Sequence, residues 1–529
     1  MGEYIVGGVP RSLVIDGWWL HATVEDYAIP PGEPPDDATG AIRGPWRGRL
    51  IAVVALVMAA DILFWSDQTP GLSIAVFALA VALVVRLLSG RAVSLTVDLI
   101  AVALLVAALL PVIEMVQPLS LAFCATGVLG YAVWAMLGHG QPLAMLAAAA
   151  VRLAVLLPWL GAADGLGAAR AAVHGGRSSA LGAGLVRGWA MPVVMGGLFA
   201  SLLMQANPIL DNWARALVGF DWGAADAIER ITFWGFVGMV VWPFVATQRV
   251  AGLIARPFRP LLSGAATPTG EHMGINPASI ANALFAFNAL FAVQTVLDAV
   301  YLWSGADLPV GLTYADYAHR GAYPLVVTAL LAGAFAIVSR PHVEHRPLLR
   351  LLLAIWIVQN VLLVLSSLYR LDLYVDVYGL TYLRVRAAIW MALVPVGLVL
   401  LVWQLWRHKT NGWLLSRNAA VLGATLYACA FINFAELIAG WNLERHTKPA
   451  MGHFDGPYLC SLGPFAAAAI LRHEQETGEW LCGDFTNLAP PVIEGWRDWG
   501  FRKWRVRRYV AGISSGQVSE ASGEDPNRR

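Results

Sequence analysis

Residues 143–162 read LAMLAAAAVRLAVLLPWLGA, an apolar run with one charge, Arg152, near its centre and Pro158 near its end. A run of about 20 apolar residues is long enough to cross a bilayer core as a helix. An arginine at the bilayer midplane, however, costs about 2.5–3.5 kcal/mol on insertion scales. Whether this run crosses sets the parity of everything after it. The other apolar windows lie at about 49–66, 71–90, 94–114, 118–137, 189–206, 231–247, 280–303, 322–338, 350–368, 386–406 and 417–438. Short cytoplasmic loops collect Lys and Arg. With 143–162 held at one face and the N-terminus inside, those residues split nineteen inside to six outside. If 143–162 crossed, either the first four spans or the last seven would invert against their own charge bias. The sequence therefore predicts an all-α, polytopic transmembrane helix bundle of about 11 spans, or 12 if 143–162 crosses. The N-terminus is expected in the cytoplasm and the C-terminus outside, in a bacterial inner membrane.

Composition agrees. Of 529 residues, 58% are hydrophobic and 13% charged, where soluble domains carry roughly 25% charged residues. The lipid bilayer is the expected partner. A net charge of +1 gives no reason to expect nucleic acid. Four segments follow from this reading. Residues 1–47 are polar and Pro-rich, with no cleavable signal peptide. Residues 48–187 form a four-span bundle plus an interfacial or re-entrant segment, 143–178. Residues 188–438 form a seven-span core. Residues 439–529 form a small extracytoplasmic tail domain, disordered after about 512.

The tail holds eleven Lys/Arg, but long tails translocate largely regardless of charge. Between Trp496 and Tyr509 the bases alternate with aromatic residues. That pattern suits a helix lying on anionic headgroups, or equally a solvated helix of the tail domain. Cys460 and Cys482 lie 22 residues apart in a compartment where thiols oxidise, which makes them a disulfide candidate beside the alternative of two buried thiols. A tail of this size also offers a surface for an envelope protein partner.

Ionisable groups inside a span are costly and mark either a polar pathway or an interhelical pair. Asp298, Arg370, Asp376 and Glu436 fall near the outer ends of their spans. Asp316, Arg320, Tyr323 and Arg384 lie in the adjoining loops. Together these eight are the candidates for an outward-facing polar cavity. The competing reading pairs them off, Asp298 with Arg370 for example. Thr425, Cys429, Asn433, Glu436 and Gly440 are expected on one face of a continuous helix. Asn288, Gln294 and Asn360 read as interhelical hydrogen-bond partners. Asp61 and Asp98 are either a second site or, for Asp61, a group reaching the interface beside Trp65.

Three stretches carry a family likeness: Ala206-Asn207-Pro208, Gly311 to Pro324 (GLTYADYAHRGAYP), and Tyr378 to Arg384 (YGLTYLR), with a looser match at Tyr458 to Pro464 (YLCSLGP). They resemble the bacterial domain-of-unknown-function family 4173, related to family 4153, over roughly residues 190–400. The resemblance implies a multipass membrane protein, names no catalytic residue, and leaves the first 190 residues aside.

No Gly-x-x-x-x-Gly-Lys-[Ser/Thr], His-Glu-x-x-His or Gly-x-Ser-x-Gly occurs, so no catalytic residue is assigned and an enzyme is the less favoured class. Neither His342 with His345 nor His446 with His453 makes a convincing metal site, and no metal or cofactor is expected. The functional expectation is a permease-like handler of a small solute or lipid. The rivals are a membrane-embedded transferase acting on envelope lipid or glycan, and a non-enzymatic envelope sensor or scaffold.

Overall fold

The computed structural model describes residues 46–66, 68–91, 94–138, 140–174, 223–255, 277–304, parts of 328–343, 346–446, 455–482 and 488–521. All regular structure among them is helical. In chain order the helices are α1 (Trp46–Phe64), α2 (Leu72–Ser89), α3 (Leu95–Glu114), α4 (Pro118–Leu137), α5 (Leu143–His174), α6 (Gly223–Val245) and α7 (Thr247–Ile254). Then come α8 (Pro277–Leu297, continuing as a π-helical turn Asp298–Trp303), α9 (Pro347–Tyr378), α10 (Tyr382–Trp406) and α11 (Asn411–Phe431). The rest are α12 (Phe434–His446), α13 (Gly456–Ser461), α14 (Ala467–Thr477) and α15 (Phe501–Ala521). Among the described residues eight helices are long and apolar enough to cross a membrane, or nine if the bent pair α6–α7 is one span. The expected span 189–206 lies outside the described residues.

Interhelix contacts fix which ends lie together. At one end the Thr247 hydroxyl donates to Leu88 O (3.0 Å), Arg49 donates to Gln248 and Arg91 donates to Leu137 O. This arginine-rich end therefore gathers the start of α1 and the ends of α2, α4 and α6. At the opposite end Asp61 accepts from Arg230 Nε (2.8 Å) and Trp234 Nε1 (2.8 Å), so α1 and α6 run antiparallel. There too Gln117, just ahead of α4, donates to Ala430 O at the end of α11 (3.3 Å). Helices α8 and α9 are parallel, since Asn288 meets Leu352 and Asp298 meets Arg370 further along both. Asp98 pairs with Arg86 at the arginine-rich end. Asp61 and Asp98 thus sit at opposite ends and form no shared site, and Asp61 is held by Arg230 rather than reaching the interface alone.

Prolines organise two of these contacts by freeing carbonyls four residues back. Pro111 in α3 leaves Ala107 O without its helical donor, and the Tyr427 hydroxyl of α11 supplies one (2.8 Å). Pro243 in α6 likewise frees Met239 O, and Gly161 of α5 packs so close to it that a Cβ would collide. Directly after Pro243 the chain bends by 68° into α7.

Helix α5 is one continuous helix, so a re-entrant break at 143–162 is not what forms. By length and composition it is able to cross, and its contacts run from the arginine-rich end to Met239 within α6. Leu143 follows directly on the end of α4. Arg152 donates to Ile254 O (3.2 Å), the last turn of α7, where the helix dipole favours a cation. Asp164 pairs with Arg249 and accepts from Trp242 Nε1 (2.9 Å), both near the α6–α7 bend. The 22 residues from 143 to 164 extend over about 32 Å.

Of the five apolar clusters among the described residues, three organise these contacts. The first joins α1, α2 and α4–α7 around Leu56, Val85, Val133, Leu153 and Val241. It draws α6 and α7 to the N-terminal helices, whereas the sequence reading groups them with the later ones. The second joins α8–α11 around Leu284, Leu353, Ile357 and Leu398. The third is the tail's own core, in which Ala439, Leu459, Ile470, Cys460 and Cys482 are buried together.

Candidate functional site

The described candidates converge on the end opposite the arginine-rich one, and each is paired. Asp298 opens the π-turn of α8 and forms an ion pair with Arg370 of α9, both groups buried. Gln294, one turn earlier, donates to Asp298 Oδ1 (2.9 Å), and Trp303 Nε1 donates to Ser366 Oγ (3.1 Å). Inserting a π-turn shifts later side chains around the helix. Here it brings Asp298 and Trp303 both against α9. π-turns are rare and recur at functional sites.

At 32 residues α9 is about 48 Å long, more than a bilayer core requires. Its last turns therefore project, and they carry Asp376, which pairs with Arg445 of α12. Arg445 in turn stacks on Trp441, 4.1 Å from the ring centre. Arg384 turns back to donate to Tyr378 O (2.7 Å) and Gly379 O, the orphan carbonyls at the end of α9, and lies 4.6 Å over the Tyr374 ring. Gly379 has φ +76°, which a residue with a Cβ rarely adopts. Thr381 caps α10 through Arg384 N. Leu380 is held at both backbone groups by Asn442, and Tyr382 N donates to the Tyr458 hydroxyl (3.0 Å). The motif Tyr378–Arg384 is thus a tight αα turn gripped by the tail.

Glu436 sits in the first turn of α12 and accepts from Asn433 Nδ2 (3.0 Å), which also donates to Phe465 O. The expected continuous stripe Thr425–Gly440 does not form. The helix stops at Phe431 and restarts at Phe434, because Asn433 caps the second segment while Gln117 and Arg502 take the Ala430 carbonyl of the first. Asp316, Arg320 and Tyr323 lie outside the described residues.

Sequence reading missed the contact that fastens the tail to this end. Arg502 of α15 donates to Glu114 Oε1 at the end of α3 (3.0 Å) and to Ala430 O (3.0 Å), and all of this is buried. Beside it the backbone N–H groups of Gly71 and Leu72, at the start of α2, donate to Arg497 O (2.9 Å) and Trp499 O (2.8 Å). A helix start has no internal acceptors for these donors, and the tail supplies them. Gly71 allows that approach, since a Cβ there would stand 2.5 Å from the Asp498 carbonyl carbon. A glutamate closing an apolar span was the available signal, but its partner is 388 residues away.

Cys460 and Cys482 are joined in a disulfide with Cα atoms 5.7 Å apart, closing α13 and α14 over the tail core. Replacing both by Ser is expected to destabilise the tail by about 3 kcal/mol, the loop-closure figure for some 20 residues. Limited proteolysis of intact protein reads this directly. The variant should be clipped within 455–500 at protease levels that spare the wild type.

The fold defines a multipass helical membrane protein with a folded tail. Residues 72–473, more than half of the chain, match the family model described as Domain of unknown function (DUF4153), and the chain belongs to that family. The likeness to family 4173 thus resolves to its relative, and it begins in α2 rather than near residue 190. A search of curated proteins found no match, and neither did a search of solved structures.

Proposed function

We propose that this chain is a permease-like handler of a small polar solute or lipid headgroup in a bacterial inner membrane. The observation that carries the reading is the buried Asp298–Arg370 pair on the π-turn of α8. A buried pair returns little net stability for its desolvation, and ionisable groups inside membranes usually serve a pathway. A charged or zwitterionic solute competes for one partner, opens the pair and frees α8 from α9. Orientation follows the charge split. The arginine-rich end faces the cytoplasm, α5 stays at that face, and the tail with its disulfide lies outside.

The test is current across a supported membrane carrying the reconstituted protein, challenged with panels of amino acids, organic acids and sugars. A solute-dependent current that Asp298→Asn abolishes supports the reading. No current for any panel member, or one unaltered in the variant, sinks it.

A second reading, an envelope scaffold, is favoured by the tail's outer surface, where Trp480 and Trp496 are exposed. Cross-linking in cells that recovers a specific envelope protein through these positions would favour it over the permease.

A further inference from the structure

Midway along the α8–α9 seam, ahead of the charge pair, four buried polar atoms have no hydrogen-bond partner among the described residues. They are Asn288 Oδ1, Gln359 Oε1, Asn360 Oδ1 and Trp356 Nε1. The amide orientations are fixed, because each amide nitrogen is already committed. Asn288 Nδ2 donates to Leu284 O (2.8 Å) and Leu352 O (3.0 Å). Gln359 Nε2 donates to Asn288 O (3.4 Å), and Asn360 Nδ2 donates to Trp356 O (2.7 Å). The oxygens are therefore what each side chain has left to offer.

The bonds put Gln359 beside Asn288, and helical spacing sets Trp356, Gln359 and Asn360 within about 100° of arc on one face of α9. Asn288 is held between Leu352 and Gln359, two turns of α9 that bracket Trp356. The Trp356 ring stacks on Phe287 at 4.9 Å and meets Phe335 edge-on at 5.5 Å. Helix ends or headgroups offer no relief, since all four lie in the middle of their helices. Buried polar atoms in native proteins nearly always find a partner, and inside a bilayer the need is greater.

The ligand must both accept from an indole N–H and donate to amide oxygens. A bare metal cation satisfies the oxygens and leaves the indole unmet. Water does both, and buried waters typically make about three bonds to such groups. We propose that Asn288, Trp356, Gln359 and Asn360 form a water-binding site in the membrane core. It lies about 15 Å along α8 from Asp298, at 1.5 Å per residue, and gives the seam a hydrated inner end from which a small polar solute or a proton reaches the charge pair. The site stands on these side chains alone and does not require that transport occurs.

Radiolytic footprinting of the full-length protein in phosphatidylcholine nanodiscs tests it, because hydroxyl radicals form at bound water as well as in bulk. Trp356 is 4% exposed and Trp480 81%. The site predicts oxidation of Trp356 at a rate within about tenfold of Trp480. It also predicts slow uptake of oxygen-18 when labelled water is mixed in shortly before the pulse. Asn360→Leu, which removes one acceptor, should lower Trp356 oxidation several-fold while leaving Trp480 unchanged. Background oxidation of wild-type Trp356 overturns the proposal without need of the variant. If labelling is present while solute currents fail, the permease reading alone falls.

Discussion

Arg502→Ala is expected to lower the stability of the folded chain by about 3–5 kcal/mol, the cost of removing one partner from a buried ion pair. The loss exceeds that of a surface bridge, typically 0–1 kcal/mol, because Glu114 would keep its charge in a buried place. It would also leave Ala430 O, in the last turn of α11, with Gln117 as its remaining donor. Thermal unfolding in detergent measures the size of the effect, and proteolysis locates it, with cleavage expected between 483 and 500 before any in the bundle. Glu114→Leu combined with Arg502→Leu should recover most of the loss, since two apolar side chains need no charge partner. An unchanged melting temperature for Arg502→Ala would mean that the tail is not held through this pair.

Arg370→Ala is the second large effect, again about 3–5 kcal/mol, because it strands the Asp298 carboxylate between α8 and α9. The informative comparison is with Asp298→Leu combined with Arg370→Leu. That double variant removes both charges, so its stability should return close to wild type. Its solute current should not return, if the pair is the element that solute opens. Recovery of stability and current together would make the pair structural packing.

How much of this was legible in the sequence depends on the kind of information. Helices α2, α3 and α4 begin and end within a residue or two of the apolar windows 71–90, 94–114 and 118–137, because lipid selects for length and apolarity, and composition reports both. The Asp298–Arg370 pair was readable as one of two alternatives, since both groups stand near the same ends of their spans. The end of α9 was not. Its window was expected to close at 368, but Tyr369–Tyr378 stays helical outside the apolar window by pairing Asp376 with Arg445. The break at Ile432–Asn433 escaped for a similar reason. A hydropathy window averages over a cap, and the donors that satisfy Ala430 O come from residues 117 and 502. Polar partners this far apart in the chain are set by tertiary packing, which no local pattern records.

The topology claim ties these elements together, and reporter fusions test it most directly. Alkaline phosphatase, active only outside the cytoplasm, is fused after residue 140, 175 or 510 in a bacterial host. A cytoplasmic fluorescent reporter is fused at the same positions. The account predicts phosphatase activity at 510 alone, with fluorescence at 140 and 175, because the proposed topology holds α5 at the cytoplasmic face and puts the disulfide-closed tail outside. Phosphatase activity at 175, or fluorescence at 510, would contradict it.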